Sequence, residues 1–163
     1  MADKLPFNGP VEFNSTVKCS GTNSKFNHIK DPVSAPAGTT TTLTTSQSGA
    51  AVLITPNAAV VVLPSASPAG QYFEFVMAGN GDSAECTVKT ATSDNSEFFI
   101  GGFATGEGTS HEIKSDGNSN SEVNFHATHS KAGDRFSCIS TGTLWAITSG
   151  YCPHASGMAF ADQ

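Results

Sequence analysis

From about residue 49 the chain is a series of short β-branched or aromatic runs separated by turn clusters. The runs are Ala50 to Thr55, Ala58 to Leu63, Gln71 to Ala78, Ala84 to Thr90, Glu97 to Phe103, Thr109 to Lys114, Ser121 to Thr128, Asp134 to Ser140 and Thr143 to Ser149. Breakers such as Pro56-Asn57, Gly79-Asn80-Gly81-Asp82, Asp116-Gly117-Asn118 and Thr141-Gly142 divide them. Strands recurring about every 8 to 13 residues predict an all-β body, a single β-sandwich or a jelly-roll-like or barrel fold. Alternation within Gln71 to Ala78 puts Phe73, Phe75 and Met77 on one face and Tyr72, Glu74 and Val76 on the other. Phe136 and Cys138 face inward by the same rule, opposite Arg135, Ser137 and Ile139, while Trp145 and Ile147 share a face. Phe73, Phe75, Phe136 and Trp145 are therefore the expected core. No internal repeat of fixed period is evident.

Residues 1–48 have a different texture and are expected to form an extended N-terminal arm, with residues 49–163 as the body. FNGPVEFNSTVKCSG alternates Val11, Phe13 and Val17 with polar neighbours, and Pro32, Pro36 and a run from Thr39 to Thr42 follow. Such a segment has too few contiguous apolar residues to offset its own ordering entropy. It is either a disordered tail or an arm that orders against a partner. The spacing of Leu5, Phe7, Val11, Phe13 and Val17 sets several large side chains on one side of an extended chain and marks them as the partner-binding residues.

Composition sharpens the class. The 163 residues fit one domain. Charged residues make up 13%, about half the globular average, and 20 Ser, 18 Thr and 16 Gly stand against 5 Leu, 3 Gln and 1 Arg, which argues against a helix bundle. Net charge is −6, and the 8 basic residues are scattered singly, so no patch can neutralise a run of phosphates and nucleic-acid binding is not expected. No stretch approaches the roughly 20 apolar residues of a membrane span, and MADKLPFNGP lacks the apolar run of a signal peptide. The expectation is a soluble, unexported product with no membrane partner. Asn14-Ser15-Thr16 then reads as a coincidental match to a glycosylation acceptor.

Candidate chemistry is sparse. Cys19, Cys86, Cys138 and Cys152 lie 67, 52 and 14 residues apart, without zinc-site spacing, and read as buried or idle thiols. His126 and His129, with Cys152 and His154, are the one tempting ligand group; on a strand, residues i and i+3 point to opposite faces and cannot chelate unless the strand ends between them. No metal or other cofactor is expected. Neither a Gly-x-Ser-x-Gly elbow nor a phosphate-cradling Gly-Lys-Ser/Thr ending is present. Glu107 with Glu112 is a conceivable carboxylate pair, yet 1 Trp and 2 Tyr equip the chain poorly for a glycosidase cleft. No catalytic residue is assigned, and the chain is expected not to be an enzyme. Gly101-Gly102 inside an apolar run implies a bulge or the close approach of another backbone.

Two passages carry a resemblance. The first is Ala58-Ala59-Val60-Val61-Val62-Leu63-Pro64-Ser65-Ala66-Ser67-Pro68-Ala69-Gly70-Gln71-Tyr72-Phe73-Glu74-Phe75. The second is Ala132-Gly133-Asp134-Arg135-Phe136-Ser137-Cys138-Ile139-Ser140-Thr141-Gly142-Thr143-Leu144-Trp145-Ala146-Ile147. Together they resemble the small trimeric β-modules of tailed-bacteriophage virions, found in head-decoration (cement) proteins and fibre tips. In those modules a strand ends in Leu-Pro, an Ala-rich turn reaches Gly and an aromatic strand, and a late Gly-Asp strand turns through Gly-Thr into a Trp strand. The resemblance implies a non-enzymatic homotrimer bound to a major capsid protein on the virion surface. The runs Ala58 to Leu63 and Glu97 to Phe103 are its candidate subunit contacts. A fibre or receptor-binding tip is the alternative, as is a carbohydrate-binding β-sandwich, for which Tyr72, Tyr151 and Trp145 are the available platform aromatics.

Overall fold

The computed structural model describes residues 30–92, 96–106 and 112–162. Leu5, Phe7, Val11, Phe13 and Val17 lie outside the described residues, as do Cys19, His28, Glu107 and His111. The body is all-β, built from two mixed sheets of eight and five strands.

The first six strands alternate between the sheets. β1 (Val33–Ala35), β3 (Ala51–Ile54) and β5 (Tyr72–Met77) are parallel neighbours in the larger sheet, and β2 (Thr40–Thr42), β4 (Val60–Val62) and β6 (Cys86–Lys89) are parallel neighbours in the smaller one. The chain thus winds three turns of a two-sided coil, each turn laying one strand on each sheet. Corners stack as well: Gly38 N–H donates to the Asn57 carbonyl at 2.8 Å, and the Ser83 hydroxyl to Asn57 Oδ1 at 3.1 Å. The coil has no constant step. Val33 pairs with Val52 and Val52 with Phe75, 19 and 23 residues on, while Thr40 pairs with Val60 and Val60 with Thr87, 20 and 27 on.

The remaining strands are mostly antiparallel. β10 (Glu122–Phe125) pairs with β6 and with β13 (Met158–Ala161), and β11 (Arg135–Ser140) pairs with β5 and with β12 (Trp145–Cys152). β7 (Phe99–Ile100) and β8 (Gly102–Thr105) run parallel to β12, and β9 (Glu112–Lys114) closes the edge beside β8. One antiparallel seam in each sheet therefore joins the halves, β5 with β11 and β6 with β10.

Residues 33–47 were expected in the arm and instead belong to the body. β1 and β2 are too short to announce themselves, and they are strands because Val52 to Ile54 and Val60 to Val62 supply their backbone partners. The run Glu97 to Phe103 divides at Gly101, whose φ of +99° favours glycine. A side chain at Gly102 would collide with the Ile113 carbonyl, so the glycine pair supplies both a break and a close approach.

Phe73, Phe75, Phe136 and Trp145 are fully buried, with Phe136 at the hub. Its ring stacks on Phe75 at 4.8 Å, meets Phe99 edge-on at 6.1 Å, and lies 6.0 Å from Phe125 of the opposite sheet. Tyr72, Glu74 and Val76 face outward as alternation requires. On β12, Trp145 and Ile147 pack inward, but a bulge opposite Ser137 and Cys138 then shifts the parity, and Cys152 is the buried residue farther along.

Candidate interaction surface

Register sorts the outward residues into rows. Across the larger sheet Ser34, Leu53, Val76, Arg135, Tyr151, Ala104 and Glu112 lie side by side. A second row runs through Ala51, Glu74, Ser137 and Ser149, and a third through Tyr72, Ile139, Ala146 and Ile100. Leu53, Tyr72 and Tyr151 are 39%, 37% and 43% exposed, which makes this the face with large apolar side chains in water. Ser137 is buried on this face because its hydroxyl lies 2.8 Å from both Thr148 Oγ1 and Ser149 Oγ at the bulge.

The smaller sheet presents two rows of mostly compact residues: Thr40, Val60, Thr87, Asn124 and Ala159, then Thr42, Val62, Lys89, Glu122 and Ala161. The Thr87 hydroxyl donates to Asn124 Oδ1 at 2.7 Å, satisfying both groups within the surface. Burial pushes the Glu122 carboxyl up, Lys89 opposes this, and Glu85 adds to it. Val60 and Val62, from a run expected to make a subunit contact, stand in these rows. Because the rows are short in profile and carry one charge of each sign, they suit the close approach of a second flat surface.

A depression of about 600 Å³ lies at the far edge of the larger sheet, lined in part by Gly102, Phe103, Ile113, Lys114, Ser149 and Gly150. Its Glu112 and Lys114 pair with each other at 2.6 Å. This hydrogen bond and mutual attraction lower the Glu112 carboxyl and raise the Lys114 ammonium. Glu107, the other member of the expected carboxylate pair, lies outside the described residues.

The platform aromatics do not assemble. Trp145 is fully buried against Phe73, with ring centroids 6.0 Å apart, and Tyr72 and Tyr151 stand on strands separated by β11. Tyr72 pairs with Ile139 and Tyr151 with Arg135, four residues apart on β11, which separates the rings' strand positions by roughly 13 Å along the sheet alone.

The histidines do assemble, contrary to the strand geometry expected for them. β10 ends at Phe125, and the following turn folds His129 back onto His126, with ring centroids 4.4 Å apart and planes at 18°. His154 stacks on the other side of His129 at 4.2 Å and 13°. Stacked rings hold their lone pairs in parallel planes and do not converge on one point. Among the described residues, no group of three or more His, Cys, Asp and Glu is arranged to hold a metal ion. Cys86, Cys138 and Cys152 are buried free thiols, and burial pushes the Cys138 and Cys152 thiols up, which keeps them protonated. Sequence spacing named the histidine group but could not reveal the stack, because the end of β10 is set by pairing with β6 and β13.

No helix among the described residues is long and apolar enough to cross a membrane. Comparison with known proteins finds no family model and no curated protein that matches the chain.

Proposed function

We propose that the chain is a non-enzymatic virion structural protein, a capsid decoration protein that binds the outer capsid surface as a homotrimer and reinforces the junctions between capsid subunits. The observation that carries this reading is the meeting of the two passages that resemble phage modules. The aromatic strand of the first is β5 and the Gly-Asp strand of the second is β11, and they pair from Tyr72 with Ile139 to Val76 with Arg135. One end of that pairing is locked: Ser140 N–H donates to the Gln71 carbonyl at 2.8 Å, and Gln71 N–H to Ser140 Oγ at 3.0 Å. Gly-Gln, Gly-Asp and Gly-Thr thus lie at the ends of neighbouring strands, which supports the reading.

The surfaces suit such a role. Low-charge, hydroxyl-rich sheet faces resist dissociation by salt, because little of their contact energy is screened. Among the described residues β1 ends the strand order of the larger sheet and leaves there an open backbone edge of the kind that accepts an added strand. Three arms on one trimer gain avidity that a single arm lacks.

Light scattering on the purified chain is expected to give three times 16.8 kDa. Deleting residues 2–29 is expected to leave a trimer of the shortened chain and abolish binding to undecorated capsid shells of the encoding virus. A monomer at micromolar concentration would overturn the trimer, and a truncated chain that binds shells with unchanged affinity would move attachment from the arm to the body.

A further inference from the structure

Two connections cross between the sheets at the same end of the body. Residues 126–134 lead from β10 in the smaller sheet to β11 in the larger, and residues 153–157 return from β12 to β13. The three imidazoles stack between these crossings, His126 and His129 on the first and His154 on the second. A backbone bond ties the same segments, His126 N–H donating to the Gly157 carbonyl at 2.9 Å, while within the first crossing the Ser130 hydroxyl donates to the His126 carbonyl at 2.7 Å.

The two outer rings also take backbone hydrogen bonds. His126 Nδ1 accepts the Thr128 N–H at 3.2 Å, and His154 Nδ1 accepts the Ser156 N–H at 3.0 Å. A ring nitrogen that accepts has no proton of its own, so both contacts are ones that only an unprotonated Nδ1 can make. His129, the middle ring, has a buried Nδ1 with no protein partner.

We infer that the three-histidine stack is a proton-operated clasp: neutral rings hold the two inter-sheet connections together, and proton uptake by the stack releases them. A proton added at Nδ1 of His126 or His154 sets N–H against N–H. Two imidazolium rings with centroids 4.2 to 4.4 Å apart would repel in a partly dry setting.

The surrounding charges fix the sign. Burial first, then His154, His126 and Lys131, holds the His129 imidazole below its ordinary value. The unfolded chain takes up that proton near pH ~6.5. The clasp's contribution is therefore complete above that pH and is lost as pH falls through it towards the lower folded value. Asp134 accepts the Lys131 N–H at 2.9 Å through one oxygen and has the other buried without a partner. Burial raises its carboxyl, against the pull of Lys131 and His154. A raised carboxyl works the other way, since its penalty on the fold is relieved as pH falls, so loosening in mild acid belongs to the histidines. The Cys152 thiol, donating to the His154 carbonyl at 3.3 Å, stays neutral. The β5–β6 connection packs on the first crossing through Gly81 and carries Asp82 and Glu85, the latter beside His126 because Cys86 pairs with Phe125.

Amide hydrogen exchange on the full chain between pH 7.5 and 5, corrected for intrinsic chemistry, tests this. Protection at residues 126–134 and 153–157 is expected to fall about tenfold or more, while β5 and β11 keep theirs. His129→Phe, which retains a ring but cannot take a proton, is expected to remove most of that fall. Unchanged wild-type protection at both crossings would overturn the clasp, whatever the variant does. So would a His129→Phe chain that loosens in acid as much as the wild type.

Discussion

The two halves of the body reach similar burial by different means. Residues 33–89 form a parallel coil in which each turn lays one strand on each sheet, and its inward residues are mainly small or aliphatic, Ala35, Val52, Ile54, Ala59, Val61 and Leu63 among them. Residues 99–161 are largely antiparallel and bring most of the large rings, with Phe99, Phe103, Phe125, Phe136 and Trp145 all buried. Coil turns register against one another through corners and ladders, so thin side chains suffice. The second half has few such stacked corners and closes around ring contacts. The groups of unusual chemistry, from the histidine stack to the Gly101-Gly102 break, sit in that second half.

Removing the ring hub should break the comparison most severely. Phe136→Ala is expected to destabilise by about 3 to 5 kcal/mol, read from urea unfolding. Phe136 touches Phe75 of the coil, so one cooperative transition should persist. Two separate transitions would mean that the coil stands without its partner. A smaller effect is expected at the locked end of the seam. Ser140→Ala removes the acceptor of the Gln71 N–H and the donor to the Pro68 carbonyl, and should cost about 1 to 3 kcal/mol by thermal or chemical unfolding. A loss below the error of the measurement would show that backbone pairing and packing join the halves without help from the Ser140 hydroxyl. Smallest, and opposite in sign, is a change at a coil corner. Ala58 has φ +58°, a left-handed conformation that burdens a residue with a Cβ. Ala58→Gly should stabilise by roughly 0.5 to 1 kcal/mol in equilibrium unfolding, net of the extra freedom glycine has when unfolded. Destabilisation would mean that the Ala58 side chain contributes more to packing than its backbone costs.

The nine strand-forming runs from Ala50 to Ser149 were legible because their alternation and breakers are local signals. Thr40 to Thr42 was not, since three threonines acquire strand character only from Val60 to Val62 beside them. Met158 to Ala161 escaped for the same reason, its partner being Glu122 to Phe125. The coil itself was invisible as a repeat because its steps vary from 19 to 27 residues, the differences being absorbed in loops such as 63–71 and 78–85. At the histidines the residues were legible and the arrangement was not, since it depends on where β10 stops. Tyr72 could be placed on an outward face by alternation, Leu53 in a continuously apolar run could not, and the row Leu53 joins required knowing that β3, β5 and β11 are neighbours.

The seam between β5 and β11 also sets a clock for synthesis. Phe75 and Phe136 pair across 61 residues, whereas the coil turns need only 19 to 27. Closing the longer loop costs only about 1 kcal/mol more in chain entropy. Delay is the larger consequence, because a ribosome adding about 5 to 20 residues per second needs roughly 3 to 12 s to travel from one partner to the other. Through that interval the nascent coil shows Phe73, Phe75 and Met77 without their cover and β5 as a bare strand edge, the form in which two half-made copies can pair with each other instead of each with its own β11.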